Sequence, residues 1–290
     1  MLKEYVEYRK EKNIKDSTIK YETEQLESFL SFVAKFSERK LEPFEIKPIH
    51  VKSYLAFQKE EKNIKDSTIK RKLTTIRQFF HFLWLIGKIP NDFMPKVTYE
   101  YDIPEKIGIT NYVELLNKKE AILRDHRLLL NDKLYFLLTL KGIKLQDIGS
   151  MTLDNVKDAG NKVILSFESY QGNIVKHYFY GDSEIMVFLQ ALERGLFRDH
   201  NVLIASTKLS EASYLHYNLK VINNRIQEVL NQPFKADEVR LSYIHYLYKV
   251  EEKSIEQMAE TLGVSITTLT SSLKVALERY KHMDYNKATN

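Results

Sequence analysis

The decapeptide EKNIKDSTIK occurs twice, at residues 11–20 and 61–70. Each copy leads into a stretch whose apolar residues recur in steps of three and four. These are Ile19, Leu26, Phe29, Leu30 and Val33 after the first copy, and Ile69, Leu73, Ile76, Phe80, Leu83 and Ile86 after the second. Such steps place the side chains on one helical face. Asp-Ser-Thr just ahead of each run offers side-chain oxygens to the orphan amides of a first turn. The front of the chain is thereby restricted to two helical hairpins, at about 1–35 and 48–88, parted by SERKLEPFEIKPIH with Pro43 and Pro48 as breakers. Duplication within one domain and selection for the same capped turn both account for the repeat, and neither implies a function.

A second break runs from Gly87 to Pro104, carries Pro90, Pro95 and Pro104, and lacks helical periodicity. It divides the chain into a helical domain at 1–90, a linker at 91–108 and a second domain at 109–290. In that second domain the spacing predicts helices over 111–119, 127–140, 183–195, 218–231, 237–250, 254–262 and 266–282. Val163 to Tyr180 alternates apolar and polar residues around Tyr170-Gln171-Gly172-Asn173, the pattern of a β-hairpin. The expected fold class is mainly α: a two-hairpin N-terminal domain, then a mostly helical domain with a small sheet.

Composition narrows the function classes. An apolar fraction of 43% with 29% charged residues is that of a globular chain and excludes wholesale disorder. Without cysteine there is no disulfide framework, thiolate metal site or cysteine nucleophile, which suits a reducing cytoplasm. MLKEYVEYRKEKN has no apolar core of a secretory signal, and the run from Phe79 to Ile86, broken by His81, is too short to span a bilayer. The nine glycines form no phosphate-loop or dinucleotide fingerprint, and the eight histidines include no i, i+4 pair on one helix. The expectation is a cytoplasmic protein with no cofactor, no metal and no membrane partner.

Charge is unevenly spread. Residues 1–90 hold 19 Lys/Arg against 13 Asp/Glu, whereas residues 91–290 hold 25 against 26. A basic front half points to a polyanion, and nucleic acid is the usual one. The densest patch is Lys62, Lys65, Lys70, Arg71, Lys72 and Arg77. Taken alone, it reads equally well as a solvated helix face kept basic for solubility.

The order of elements resembles the tyrosine recombinase (phage integrase) family over nearly the whole chain. DSTIKRKLTTIRQFFHFLWLIGKIPND at 66–92 is similar to the family's core-binding helix, in a SAM-like domain. LKGIKLQDIGSMTLDNV at 140–156 resembles the helix with the first catalytic arginine, and ADEVRLSYIHYLY at 236–248 the helix with the His-x-x-Arg box. MAETLGVSITTLTSS at 258–272 resembles the leucine-glycine-histidine turn before the nucleophilic tyrosine.

Carried over residue by residue, the catalytic set is depleted. Arg240 matches the second arginine. Lys144 stands at the first, keeping the charge but losing the bidentate fork. Gln171 falls at the general-acid lysine, with Lys176 nearby; Asp237 and Val264 replace the two histidines; Ser271 and Ser272 occupy the tyrosine position. Tyr280 and Tyr285 are the candidate displaced nucleophiles, and His177 and His245 the candidate substitute donors. Phosphodiester transfer needs a nucleophile, donors to the non-bridging oxygens and an acid for the leaving oxygen. The resemblance therefore implies a double-stranded-DNA-binding protein that has lost strand cleavage and so is not an enzyme. It would serve recombination as an accessory or regulator, with itself or another recombinase as partner. Its residual phosphate positions would be Arg240 and Lys144, and its DNA contacts Lys62, Lys65, Lys70, Arg71, Lys72 and Arg77.

Three alternatives stay open. One is an active recombinase with a rearranged site, and another is a protein-interaction scaffold that keeps the fold and has lost DNA altogether. The third is a helix-turn-helix regulator: in residues 254–281, Ala259 is small where two helices touch, Gly263 allows the turn, and Thr267, Thr268, Thr270, Ser271 and Lys274 would face a groove. A plain helical hairpin closing the core explains that segment equally well. Trp84, Phe79, Phe80 and Phe82 have helical spacing and are expected in the core.

Overall fold

Both copies of the decapeptide make the same turn. Asn13 and Asn63 adopt the left-handed conformation, with φ of 55° and 50°, which asparagine tolerates better than most residues. They follow helices α1 (Leu2–Glu11) and α3 (Pro48–Glu60) and precede α2 (Asp16–Phe36) and α4 (Asp66–Leu85). The expected capping is corrected: the N-cap residues are Lys15 and Lys65, with no side-chain cap bond. Asp16 and Asp66 are the first helical residues, where a carboxylate favours the positive end of the helix dipole.

The structure, a computed structural model, describes residues 1–100, 110–204 and 219–283. It divides into two units, Met1–Lys106 and Ile107–Asn290. The first unit packs its helices around Tyr5, Leu26, Phe29, Tyr54, Leu73, Ile76, Phe79, Phe80 and Leu83, all essentially inaccessible to solvent. Trp84 is an exception to the expected core: at the margin of the buried face it is 44% exposed, beside His81. The segment expected as a linker begins inside this core. Gly87 (φ 70°) turns the chain back, and Ile89, Met94 and Val97 are buried. Arg77 donates to the Val97 carbonyl at 2.8 Å. The first unit thus extends past residue 90, and the remaining linker residues 101–108 lie outside the described residues.

The second unit is helical around a small sheet. Helices α5 (Tyr112–Arg124), α6 (Leu130–Leu140) and the short α7 (Leu145–Ser150) lead to strands β1 (Val156–Asp158), β2 (Lys162–Glu168) and β3 (Ile174–Tyr180). Then follow α8 (Asp182–Arg198), α9 (Leu219–Leu230), α10 (Ala236–Lys249), α11 (Ile255–Leu262) and α12 (Ile266–Arg279). The strands are antiparallel in the order β1-β2-β3, with Val156 opposite Leu165 and Val163 opposite Phe179. Alternation buries Val163, Leu165, Phe167, Val175, His177 and Phe179 and leaves Ile174, Lys176, Tyr178 and Tyr180 outside. No described helix is long and apolar enough to cross a membrane.

Candidate functional site

Two glycines shape the site. Gly142 (φ 68°) lies against α10 so closely that a β-carbon would stand 2.6 Å from the Tyr243 ring. At Gly263 (φ 61°) it would stand 2.3 Å from Val175. No other residue type fits these turns without displacing a neighbour. The first glycine brings the α6–α7 turn to Arg240, and the second brings the α11–α12 turn to the β2–β3 hairpin.

Arg240, on α10, donates to the carbonyl of Gly142. Burial pulls the guanidinium pKa below its ordinary value, while Tyr170, Asp147 and Asp237 act in the opposite direction. Lys144, the N-cap residue of α7, donates to the hydroxyl of Tyr170, and its ammonium lies 4.0 Å from the centre of that ring. Asp147 is buried and accepts from the Tyr170 backbone amide at 2.7 Å. Burial raises its carboxyl pKa; that amide, Arg240 and Lys144 oppose the rise. Among the described residues no carboxylate lies within ion-pair distance of Lys144 or Arg240.

Gln171 ties the hairpin to α12. Its Oε1 accepts from the Ser265 amide at 2.6 Å, and its Nε2 donates to Thr268 Oγ1 at 3.2 Å and to Tyr170 Oη at 2.9 Å. Ser169 Oγ and Asn173 Nδ2 both donate to the Gly263 carbonyl, at 2.7 and 3.4 Å. The hydroxyls of Ser271 and Ser272 turn back onto their own helix, donating to the carbonyls of Thr267 and Thr268 at 3.0 Å each. Val264 is buried and Asp237 exposed.

The substitute candidates fare differently. Lys176 points out from the sheet, whereas His177 is buried, with its pKa pushed down to about 3 by burial and by Lys141, Arg240 and Lys253. An imidazole in that setting stays neutral at ordinary pH. His245 is buried beside Tyr280. Tyr280 is itself buried, its hydroxyl donating to the Glu238 carbonyl at 3.2 Å and its pKa pushed up to about 12 chiefly by burial. Its hydroxyl is thus engaged inside the core and does not face Arg240 or Lys144 in any described contact. Tyr285 lies outside the described residues. Sequence reasoning missed Tyr170, Asp147 and Lys141, the last half-buried with its ammonium 5.2 Å from the Phe179 ring centre. The signal available was the hairpin turn at Tyr170 and the Gly142 turn ahead of Lys144.

In the first unit, Lys62, Lys65, Lys70 and Arg71 are exposed around the start of α4, with Arg71 over the Tyr21 ring at 5.2 Å. Lys72 corrects the expected set: it is buried, donates to Gln25, and has its pKa lowered by desolvation. Its place one residue before Leu73 and three after Ile69 puts it on the core face. Arg77 is exposed but tied to Val97.

The α11–α12 pair has helix-turn-helix proportions. Ser254 and Ser265 cap the two helices, Ala259 is buried between them, and Gly263 makes the turn. Thr267, Thr270, Ser271 and Lys274 are exposed, while Thr268 is half-buried.

Residues 2–85 match the phage integrase N-terminal SAM-like domain. No curated protein matches the chain in sequence. Among solved structures, the chain is similar to the Tn1549 transposon integrase in complex with circular intermediate DNA, at 13% identity and a TM-score of 0.62, over 97% of this chain and 95% of that one. It is similar to the XerH site-specific recombinase bound to palindromic difH substrate, at 14% identity and 0.60, over 90% and 77%. A lambda integrase tetramer bound to a Holliday junction matches at 16% identity and 0.57, over 93% and 75%. The chain therefore carries a phage integrase SAM-like domain and has the fold of the tyrosine recombinases.

Proposed function

We propose that this chain, built on the tyrosine recombinase fold, binds double-stranded DNA without cutting and rejoining it, as an accessory or regulator of recombination. The observation that carries this reading is the set of contacts around Arg240 and Lys144. These two cations donate there to a phenol and a backbone carbonyl, and no carboxylate among the described residues lies within ion-pair distance of either. The serine at the nucleophile position is bonded into its own helix. Such a site suits a phosphate, and among the described residues it presents no activated nucleophile and no acid placed for the leaving oxygen. Loss of one preorganised donor alone costs roughly 10²–10³ in rate. Exposed Lys62, Lys65, Lys70 and Arg71 supply backbone contacts, each adding about −0.9 to the slope of log affinity against log salt. DNA in the three solved relatives, and the tetramer of one, support DNA and a further recombinase copy as partners.

Titration of duplex DNA at several salt concentrations, followed by a denaturing gel, tests the proposal. Salt-steep binding without a covalent adduct is the expected result, with Arg240→Ala weakening it at least tenfold. A denaturation-resistant adduct overturns the loss of cleavage, and absence of binding at low salt overturns the DNA partner. The exposed face of α12 favours a second reading as a sequence reader. It predicts that Lys274→Ala erases preference for a specific site over random duplex.

A further inference from the structure

The pocket is filled from within. Tyr170 Oη accepts from the Lys144 ammonium and from Gln171 Nε2, so a phenol oxygen sits where the cation points. Arg240 is met in the same way, by the backbone carbonyl of Gly142. Both acceptors are neutral. They satisfy hydrogen bonds while Asp147 and Asp237 offset the charge only from beyond ion-pair distance, and an anionic oxygen makes a bond roughly twice as strong to the same donor. A better ligand for these cations is therefore any oxyanion that reaches them, and the hydroxyl is the group in its way.

Resting on the reading of this pocket as a phosphate site, we infer that the Tyr170 hydroxyl occupies the position of a phosphodiester oxygen, and that the pocket takes up a phosphate by exchanging one for the other. The exchange is not confined to one side chain. Tyr170 adjoins Gln171, whose amide holds the Ser265 N–H and the Thr268 hydroxyl at the start of α12. Ser169 and Asn173, on either side, are anchored to Gly263. The hairpin turn thus rests on the α11–α12 turn, and moving Tyr170 out of the pocket strains or breaks the Gln171 contacts. Occupancy of the phosphate position is felt at the first turn of α12.

Tyr170→Phe tests this, since it keeps the ring against Lys144 and removes only the oxygen. Inorganic phosphate and a short duplex are titrated separately into the full-length wild type and variant by calorimetry, with the Ser265 amide followed by NMR. The expected result is inorganic phosphate binding about fivefold tighter in Tyr170→Phe, the worth of one neutral hydrogen bond released. Lys144→Met in that background cancels the gain, and phosphate shifts the Ser265 amide of the wild type. Equal, weaker or undetectable phosphate binding by Tyr170→Phe overturns the exchange, as does a gain that survives Lys144→Met. The duplex arm separates the two ideas. Tighter phosphate binding with no duplex binding refutes the DNA reading alone, whereas duplex binding with unchanged phosphate affinity refutes the exchange alone.

Discussion

Arg225 and Arg240 lie in the same unit and are satisfied in opposite ways. Arg225, on α9, makes a two-point contact with Asp132, Nε to Oδ2 at 2.8 Å and Nη2 to Oδ1 at 2.6 Å. Asp132 is fully buried at the start of α6 and also accepts from the Leu129 amide at 2.9 Å. Those bonds raise the pKa of Arg225, whereas burial lowers that of Arg240, which donates to a backbone carbonyl and has no carboxylate within ion-pair distance among the described residues. A guanidinium neutralised by a buried carboxylate belongs to the scaffold. One buried against a neutral oxygen adds little to folding and keeps its attraction for an incoming anion.

The largest expected effect follows directly. Asp132→Ala leaves Arg225 without its carboxylate and removes a helix-start acceptor, costing about 3 kcal/mol in urea unfolding. Arg240→Met, of similar volume and free of desolvation cost, changes stability by less than about 1 kcal/mol in either direction. It nevertheless weakens duplex binding at least tenfold. If Arg240→Met destabilises as much as Asp132→Ala, the two arginines are equivalent and the distinction between scaffold and pocket fails.

The same contrast should appear in the pH dependence. Burial above all, with Lys141, Arg240 and Lys253 adding to it, gives His177 a folded pKa of about 3 against an ordinary 6.5. The unfolded chain then binds a proton that the folded chain refuses, so stability is full above about pH 6.5 and falls as pH drops toward 3. His177→Gln, which cannot titrate, is expected to lose less of its urea midpoint than the wild type between pH 7 and pH 4.5. Identical slopes for the two proteins would mean that His177 is not held neutral in the folded chain.

Periodicity made the long helices legible, because a buried face over three or more turns leaves a repeating imprint. It did not reveal α7 or β1, which are too short for a period to register. Asp-Ser-Thr resembles a cap wherever it stands, whereas the backbone makes Lys15 and Lys65 the N-caps. Arg240 and Lys144 stand out only through family resemblance, and the charge of Lys72 hides its place on the core face among Ile69, Leu73 and Ile76. Tyr170 and Asp147 were not legible. Their roles arise only when the segments around 142, 170, 240 and 263 meet, and no local pattern encodes that meeting.

The smallest effect belongs to the repeat, where the sequence is the same but burial and the partner change. Asp66 is buried and paired with Lys59 at 2.6 Å, while Asp16, in the identical decapeptide, is exposed. If compensation by a specific partner decides what a charge contributes, the two aspartates differ despite equal surroundings in sequence. Asp66→Asn is expected to cost about 1 kcal/mol, because Lys59 is half-exposed and returns partly to water. Asp16→Asn should leave the urea midpoint unchanged, since its favourable place at the helix start is shared with solvent. Equal losses in the two variants would assign the effect to the helix dipole common to both turns, and the rule drawn from Arg225 and Arg240 would not extend to carboxylates.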